Sequence, residues 1–183
     1  MQRISILLFL FFVCLTPAMQ AQAPAPKPDP VMKKMTLFKG HWTLEGESKP
    51  SPFGPGGRFT GEWNGRMILN GFFLEGRGEQ KGPSGDYEFV IIEGYDPIAK
   101  SLTSTVYWGD GRVERGTLNW DGNVCTLKSK ATVEGKPYET RFTYTFSADG
   151  MSATYKSEFS PDGKTWTVNL EEKGTKTQSA PKE

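Results

Sequence analysis

The stretch DGRVERGTLNWDGNVCTLKSKATV (110–133) constrains the fold more than any other. Its two Asp-Gly pairs stand one strand length apart, and the residues between them are rich in Thr, Val, Leu and Trp. Such spacing is the signature of hairpins, in which short turns link strands that bury one face. The pattern repeats along the chain. KGPSGD, DPIAK, GDG, DG, EGKP, SADG and SPDGK all carry turn chemistry, and helical periodicity is absent after Gly40. Strands are expected near 42–48, 57–64, 66–80, 87–95, 101–108, 112–120, 123–133, 138–147, 151–159 and 164–173, the third bending or breaking around Gly71.

Side-chain parity gives the strands a sidedness. An Asp121-Gly122 turn sets Leu118 opposite Cys125 and puts Trp120, Leu127, Ala131 and Val133 on the same face. A loop over 147–150 pairs Phe146 with Met151, Tyr144 with Ala153 and Phe142 with Tyr155. Across the last turn Tyr155 meets Val168 and Ser157 meets Trp166, with Leu170 beside Ala153. The opposite faces read Glu139, Arg141, Thr143, Thr145, then Ser152, Thr154, Lys156, Glu158, as in a sheet wet on one side. At Asp110-Gly111 a two-residue turn would send Leu102, Val106 and Trp108 to the face away from Leu118. A three-residue loop, 109–111, with Gly111 left-handed, restores the parity and turns Glu114 inward opposite Val106. The second register is preferred.

About ten sequential antiparallel strands with one apolar face leave two open edges unless the sheet closes. The expected fold is therefore all-β, a closed up-and-down antiparallel barrel with a short N-terminal helix. DPVMKKMTLFKG supplies that helix, with Asp29 as N-cap, Pro30 in the first turn and Gly40 at the exit. Met32, Met35 and Leu37 or Phe38 would pack on the barrel.

The ends read differently. MQRISILLFLFFVCLTPAMQAQA has a lone Arg3, an apolar run too short to span a bilayer, and small residues after it, as in a secretory signal peptide. Cleavage after Ala21 is preferred to cleavage after Ala23, because Pro24 would follow the second cut. A lipid anchor on Cys14 is disfavoured because Val13 precedes it. The organisation expected is a signal peptide over 1–21, a Pro-rich linker over 22–30, the barrel over 31–173 and a disordered tail over 174–183. The location expected is secreted or periplasmic.

Loss of the signal takes Arg3, so Lys+Arg falls from 22 to 21 against 21 Asp+Glu. A near-neutral mature chain argues against nucleic acid as partner, since phosphates demand clustered basic residues. Cys14 leaves too, so Cys125 stands alone and the fold must be held by its core. The 12 Phe, 6 Tyr and 5 Trp can furnish one.

LFKGHWTLEGES resembles the opening of lipocalin-like (calycin) barrels, where a short helix precedes a Gly-x-Trp on the first strand. RMILNGFFLEG followed by IIEGYDPIAKSLTSTVYW resembles a large bacterial group of small secreted barrels catalogued as a domain of unknown function. The likeness covers residues 35–173, with the Gly-Tyr-Asp step as its most specific part. It implies a fold and a possible pocket, with no reaction attached. By that analogy Trp42 plugs the closed end. The Arg that lipocalins set over this Trp has no counterpart, and the basic residue near the last strand is Lys173. Nitrobindin-like barrels, which bind haem through a His on a late strand, are a more distant likeness. The sole His, His41, opens the first strand, so no haem is expected.

No catalytic set assembles. His41 lacks companion ligands for a metal. Cys125 lacks a nearby base and sits among Leu118 and Leu127. Glu171 and Glu172 point to opposite faces, Asp86 and Glu88 read as a solvated rim, and GPGG lacks the Lys of a phosphate loop. The expectation is a non-enzyme, without cofactor or metal, that binds a small apolar or amphipathic ligand. Phe89, Ser104, Trp108, Trp120, Tyr144, Tyr155, Ser157 and Trp166 are expected as the ligand-binding wall, with SKPSPFGPGG (48–57) over one mouth. The alternative is a filled barrel acting as an envelope structural or protein-interaction module.

Overall fold

A computed structural model describes residues 25–83 and 85–177. The expected signal peptide, its cleavage sites, Cys14 and the last six residues lie outside that range. The helix begins later than expected, with Val31 and not Asp29 at its N-cap; Asp29 instead closes the turn leading into it, its carboxylate accepting from the Val31 amide at 2.9 Å and its carbonyl from Met32. The helix α1 (Met32–Met35) runs into a 3-10 turn over Thr36–Phe38, and Gly40 takes the positive φ of 101° that redirects the chain. Met32, Met35 and Phe38 are buried, whereas Leu37 is only partly covered.

Ten strands follow: β1 (Gly40–Ser48), β2 (Gly57–Ile68), β3 (Phe73–Lys81), β4 (Tyr87–Asp96), β5 (Ser101–Trp108), β6 (Val113–Asp121), β7 (Val124–Val133), β8 (Lys136–Phe146), β9 (Ser152–Ser160) and β10 (Thr167–Thr177). Each pairs antiparallel with its neighbour in sequence, and β10 returns to β1, with Leu44 opposite Gly174. The sheet closes, so no strand edge is left for another chain to extend. α1 and the 3-10 turn plug the end where β1 begins, which forms the floor. The loops after β1, β3, β5, β7 and β9 surround the other end, the mouth.

The preferred loop at 109–111 is present. Gly111 has φ 86° and its amide donates to the Trp108 carbonyl at 2.9 Å. Leu102 faces Leu118 and Glu114 faces Val106, as that register requires. Other registers differ from expectation. Leu118 pairs with Leu127 and Trp120 with Cys125, because the turn is Gly122-Asn123, and Asn123 is tied to the Phe146 carbonyl at 2.6 Å. Phe146 pairs with Ala153, Tyr144 with Tyr155 and Phe142 with Ser157. There the loop is 148–151, closed by Ser147 N–H to Ser152 O at 2.9 Å. Both slips are of two residues, which preserves the inward face.

Two further boundaries move, and one expected break holds. β2 continues through Gly65 to Ile68, because Gly65 lets the Phe38 carbonyl approach to where a Cβ would be 2.2 Å away. The expected break near Gly71 is real, a 3-10 turn over Leu69–Gly71. β10 extends to Thr177, so the barrel does not stop at residue 173. Gly174–Thr177 pair with Leu44–His41.

Candidate functional site

The barrel is hollow above its floor, with a cavity of about 1000 Å³. Phe38 lies edge-on to Trp120, Tyr144 and Phe146, at centroid distances of 6.0, 5.1 and 4.9 Å, and with Trp42 this cluster makes the floor. Lys176 lies over the Trp42 ring at 4.7 Å and donates to the Leu37 carbonyl at 3.2 Å. The cation over Trp42 is thus Lys176 and not Lys173, whose neighbours Glu172 and Gly174 take the inward positions. At the mouth, Phe53 from the 49–56 loop meets Tyr138 and Phe159 at 5.7 and 5.5 Å. The loop is anchored where Lys49 N–H donates to the Asn169 carbonyl at 2.8 Å.

Among the residues expected to form the wall, Phe89, Trp108, Tyr144, Tyr155 and Ser157 do line the cavity. Phe89 packs on Trp108 at 5.4 Å, and Tyr144 on Tyr155 at 4.8 Å. Three others stand elsewhere. Trp120 stacks on Phe146 at 5.8 Å within the floor. Ser104 points inward, 2% exposed, opposite Glu93 and Gly116, but contributes no cavity surface. Trp166 is outside the barrel, with the Arg141 guanidinium over its ring at 4.3 Å. Its displacement has a local cause. The last connection is a wide loop whose Asp162 carboxylate gathers the Lys164 and Thr165 amides, both at 2.8 Å. A bulge between Val168 and Leu170 then reverses parity, so Leu170 pairs with Ser157 while Trp166 falls outside.

Two glycines shape the wall. A Cβ on Gly76 would meet the Trp63 ring at 1.7 Å, and one on Gly78 would meet Phe89 at 2.3 Å. Aromatic rings therefore lie flat on β3 instead of filling the lumen.

Of the carboxyl and amide groups inside the cavity, only Glu114 was turned inward by the sequence pattern. Glu93, Gln80, Tyr87 and Glu172 all line it. Glu93 is 5% exposed. Burial pushes its carboxyl up to about 7, and the Ser104 hydroxyl offsets part of this without meeting hydrogen-bond geometry. Burial likewise raises Glu172 to about 7. The Gln80 amide donates to Glu172 at 3.1 Å, while the Tyr87 phenol donates to Gln80. The Ser129 and Thr140 hydroxyls both donate to Glu114, Thr140 at 3.2 Å. Burial raises Tyr144 and Tyr155 well above the ordinary phenol range, with neighbouring carboxylates adding to the effect. Strand parity held the signal: Glu93 is four residues from inward Phe89, and Glu172 is two from inward Leu170.

His41 lies on the outer face, 3.7 Å from Glu62. Cys125 is fully buried, and burial pushes its thiol up, away from the reactive thiolate. Asp86 and Glu88 are exposed at the mouth. Among the described residues no cluster of three or more His, Cys, Asp or Glu has metal-binding geometry, and no helix is long and apolar enough to cross a membrane.

The model of the family described as "Protein of unknown function (DUF1579)" matches residues 27–176. The chain belongs to the DUF1579 family. Among solved structures, this DUF1579 barrel is similar to the crystal structure of Rv2717c from M. tuberculosis, with a TM-score of 0.56. That likeness covers 83% of this chain and 100% of the other at 12% identity, which speaks to the fold alone. No curated protein matches the DUF1579 chain.

Proposed function

We propose that this DUF1579 barrel is a secreted or periplasmic container that holds a small apolar or amphipathic molecule without transforming it. The observation that carries this is the cavity of about 1000 Å³, floored by packed aromatics and walled by Phe89, Trp108, Tyr144 and Tyr155. Its size is at the top of the roughly 300–1,000 Å³ range of small-molecule pockets, and its mix of aromatic walls with few polar groups matches their chemistry. A filled barrel serving only as an envelope or interaction module would have no use for that space.

The test is a neutral fluorescent probe such as N-phenyl-1-naphthylamine. Ala153 lines the cavity opposite Phe146 and Gly174, whereas Thr154 is exposed on the outer face. Ala153→Trp should weaken probe binding by about ten-fold or more (~1.4 kcal/mol), and Thr154→Trp should leave it within about two-fold. A wild-type protein that binds no probe, or equal losses in both variants, would sink the container reading.

A further inference from the structure

We propose that the cavity selects an amphipathic amine, its ammonium seated against the Glu93 carboxylate and its apolar body lying along the aromatic wall towards the mouth. This rests on the container reading and assigns its ligand class.

The charge inside the barrel is one-sided. Glu93, Glu114 and Glu172 line the cavity, and the basic side chains that touch it, Lys49, Lys81 and Arg112, belong to its mouth. Arg112 is committed there, 2.6 Å from Asp110 and over the Trp108 face at 5.3 Å. Lys176 at the floor is committed to the Leu37 carbonyl and the Trp42 ring. An anionic ligand would therefore enter a lumen that already repels it.

The three acids are not equivalent. Glu114 has the Ser129 and Thr140 hydroxyls, and Glu172 has the Gln80 amide. Glu93 is 5% exposed, and the polar side chain set against its carboxyl is the Ser104 hydroxyl, which falls short of hydrogen-bond geometry. The Ser104 hydroxyl opposite it is also buried without a partner. An uncompensated buried carboxylate is costly, and a ligand cation is what relieves it. Across the lumen, burial raises the Tyr144 phenol and the Glu93, Glu172 and Glu114 carboxylates add to that rise, so all three acids lie within electrostatic reach of β8. Beyond Leu74 and Ser104, which flank Glu93 on the neighbouring strands, the cavity wall is largely aromatic: Phe142 stacks on Tyr155 at 5.9 Å, Tyr144 packs on Tyr155, and Trp63 lies 6.2 Å from Phe89. Aromatic faces next to a carboxylate attract an ammonium and its alkyl substituents together, where a neutral ligand would gain only the apolar part.

The experiment compares three ligands of equal length, octylammonium, octanol and octanoate, by calorimetry at pH 8 on the mature chain. The expected order is octylammonium tightest, by about ten-fold or more over octanol, with octanoate weakest. Glu93→Gln should bring octylammonium down to the octanol level, while Glu93→Asp, which keeps the charge, preserves the order; cooperative thermal unfolding checks that each variant is folded. Octanol binding without any advantage for octylammonium overturns the amine assignment and leaves the container standing. So does a ten-fold advantage that persists in Glu93→Gln, or octanoate binding as tightly as octylammonium. Binding of none of the three overturns both readings.

Discussion

Glu93 shows how one side chain ties stability to the interior. Its carboxyl has an ordinary value of 4.5 and is held at about 7 by burial. A folded-state value above the unfolded one means that the folded protein keeps a proton the unfolded chain has already released. This group therefore lowers stability as pH rises from about 4.5 through 7, and the loss is complete above 7. Glu172 acts in the same direction through the same window. Glu93→Gln removes one share. It should stabilise the protein at pH 8 by up to about 3 kcal/mol, since each ten-fold change in proton affinity is worth about 1.4 kcal/mol, and by much less at pH 5. Urea unfolding at the two pH values decides this, and an equal gain at both would show that the acid is not held protonated by burial. On paper Glu93 looks like a surface glutamate. Only its parity with Phe89 and Ile91 places it inside, and parity does not reveal how completely the far wall buries it.

At the scale of elements, alternation survives errors that would be expected to scramble it. The β6–β7 and β8–β9 hairpins slip by two residues, yet Leu118, Trp120, Cys125, Leu127, Phe142, Tyr144, Ala153 and Tyr155 remain inward, because the strand repeat is two. A single bulged residue in β10 has the opposite effect, sending Val168 and Trp166 outward. The end of β10 matters as much as its bulge. Gly174–Thr177 pair with β1 and bring Lys176 over Trp42. A chain ending at Lys173 should lose about 2–4 kcal/mol, since it uncovers Trp42 and leaves the start of β1 unpaired on that side. The urea midpoint of that truncation against the full chain measures the loss, and an unchanged midpoint would mean that the barrel closes without those residues.

At the scale of the molecule, closure and the plug act together. Nine hairpin pairings are local, whereas the β1–β10 seam joins residues such as His41 and Thr177 across almost the whole described chain. The fold has one buried free cysteine, Cys125, and so rests on its core and closed ladder. Material secreted from a bacterial host should have an intact mass that begins at Gln22 and carries no diacylglyceryl group. A lipid adduct on Cys14 would instead make this barrel a tethered one.

Strand number, the plug helix, the closed antiparallel order and most of the inward-facing set are legible in the residue order. Each of these follows from short-range regularities: turn residues, period-two alternation, and the need of an apolar face to find cover. The tertiary structure alone decided which residues meet across the turns, that Trp166 stays outside, that Lys176 covers Trp42, and that Glu93 and Glu172 face a common cavity. Those outcomes depend on loop hydrogen bonds, one bulge, and walls contributed by distant strands. A residue's own neighbours encode its side of the sheet; its solvation is set by whatever the rest of the barrel places across from it.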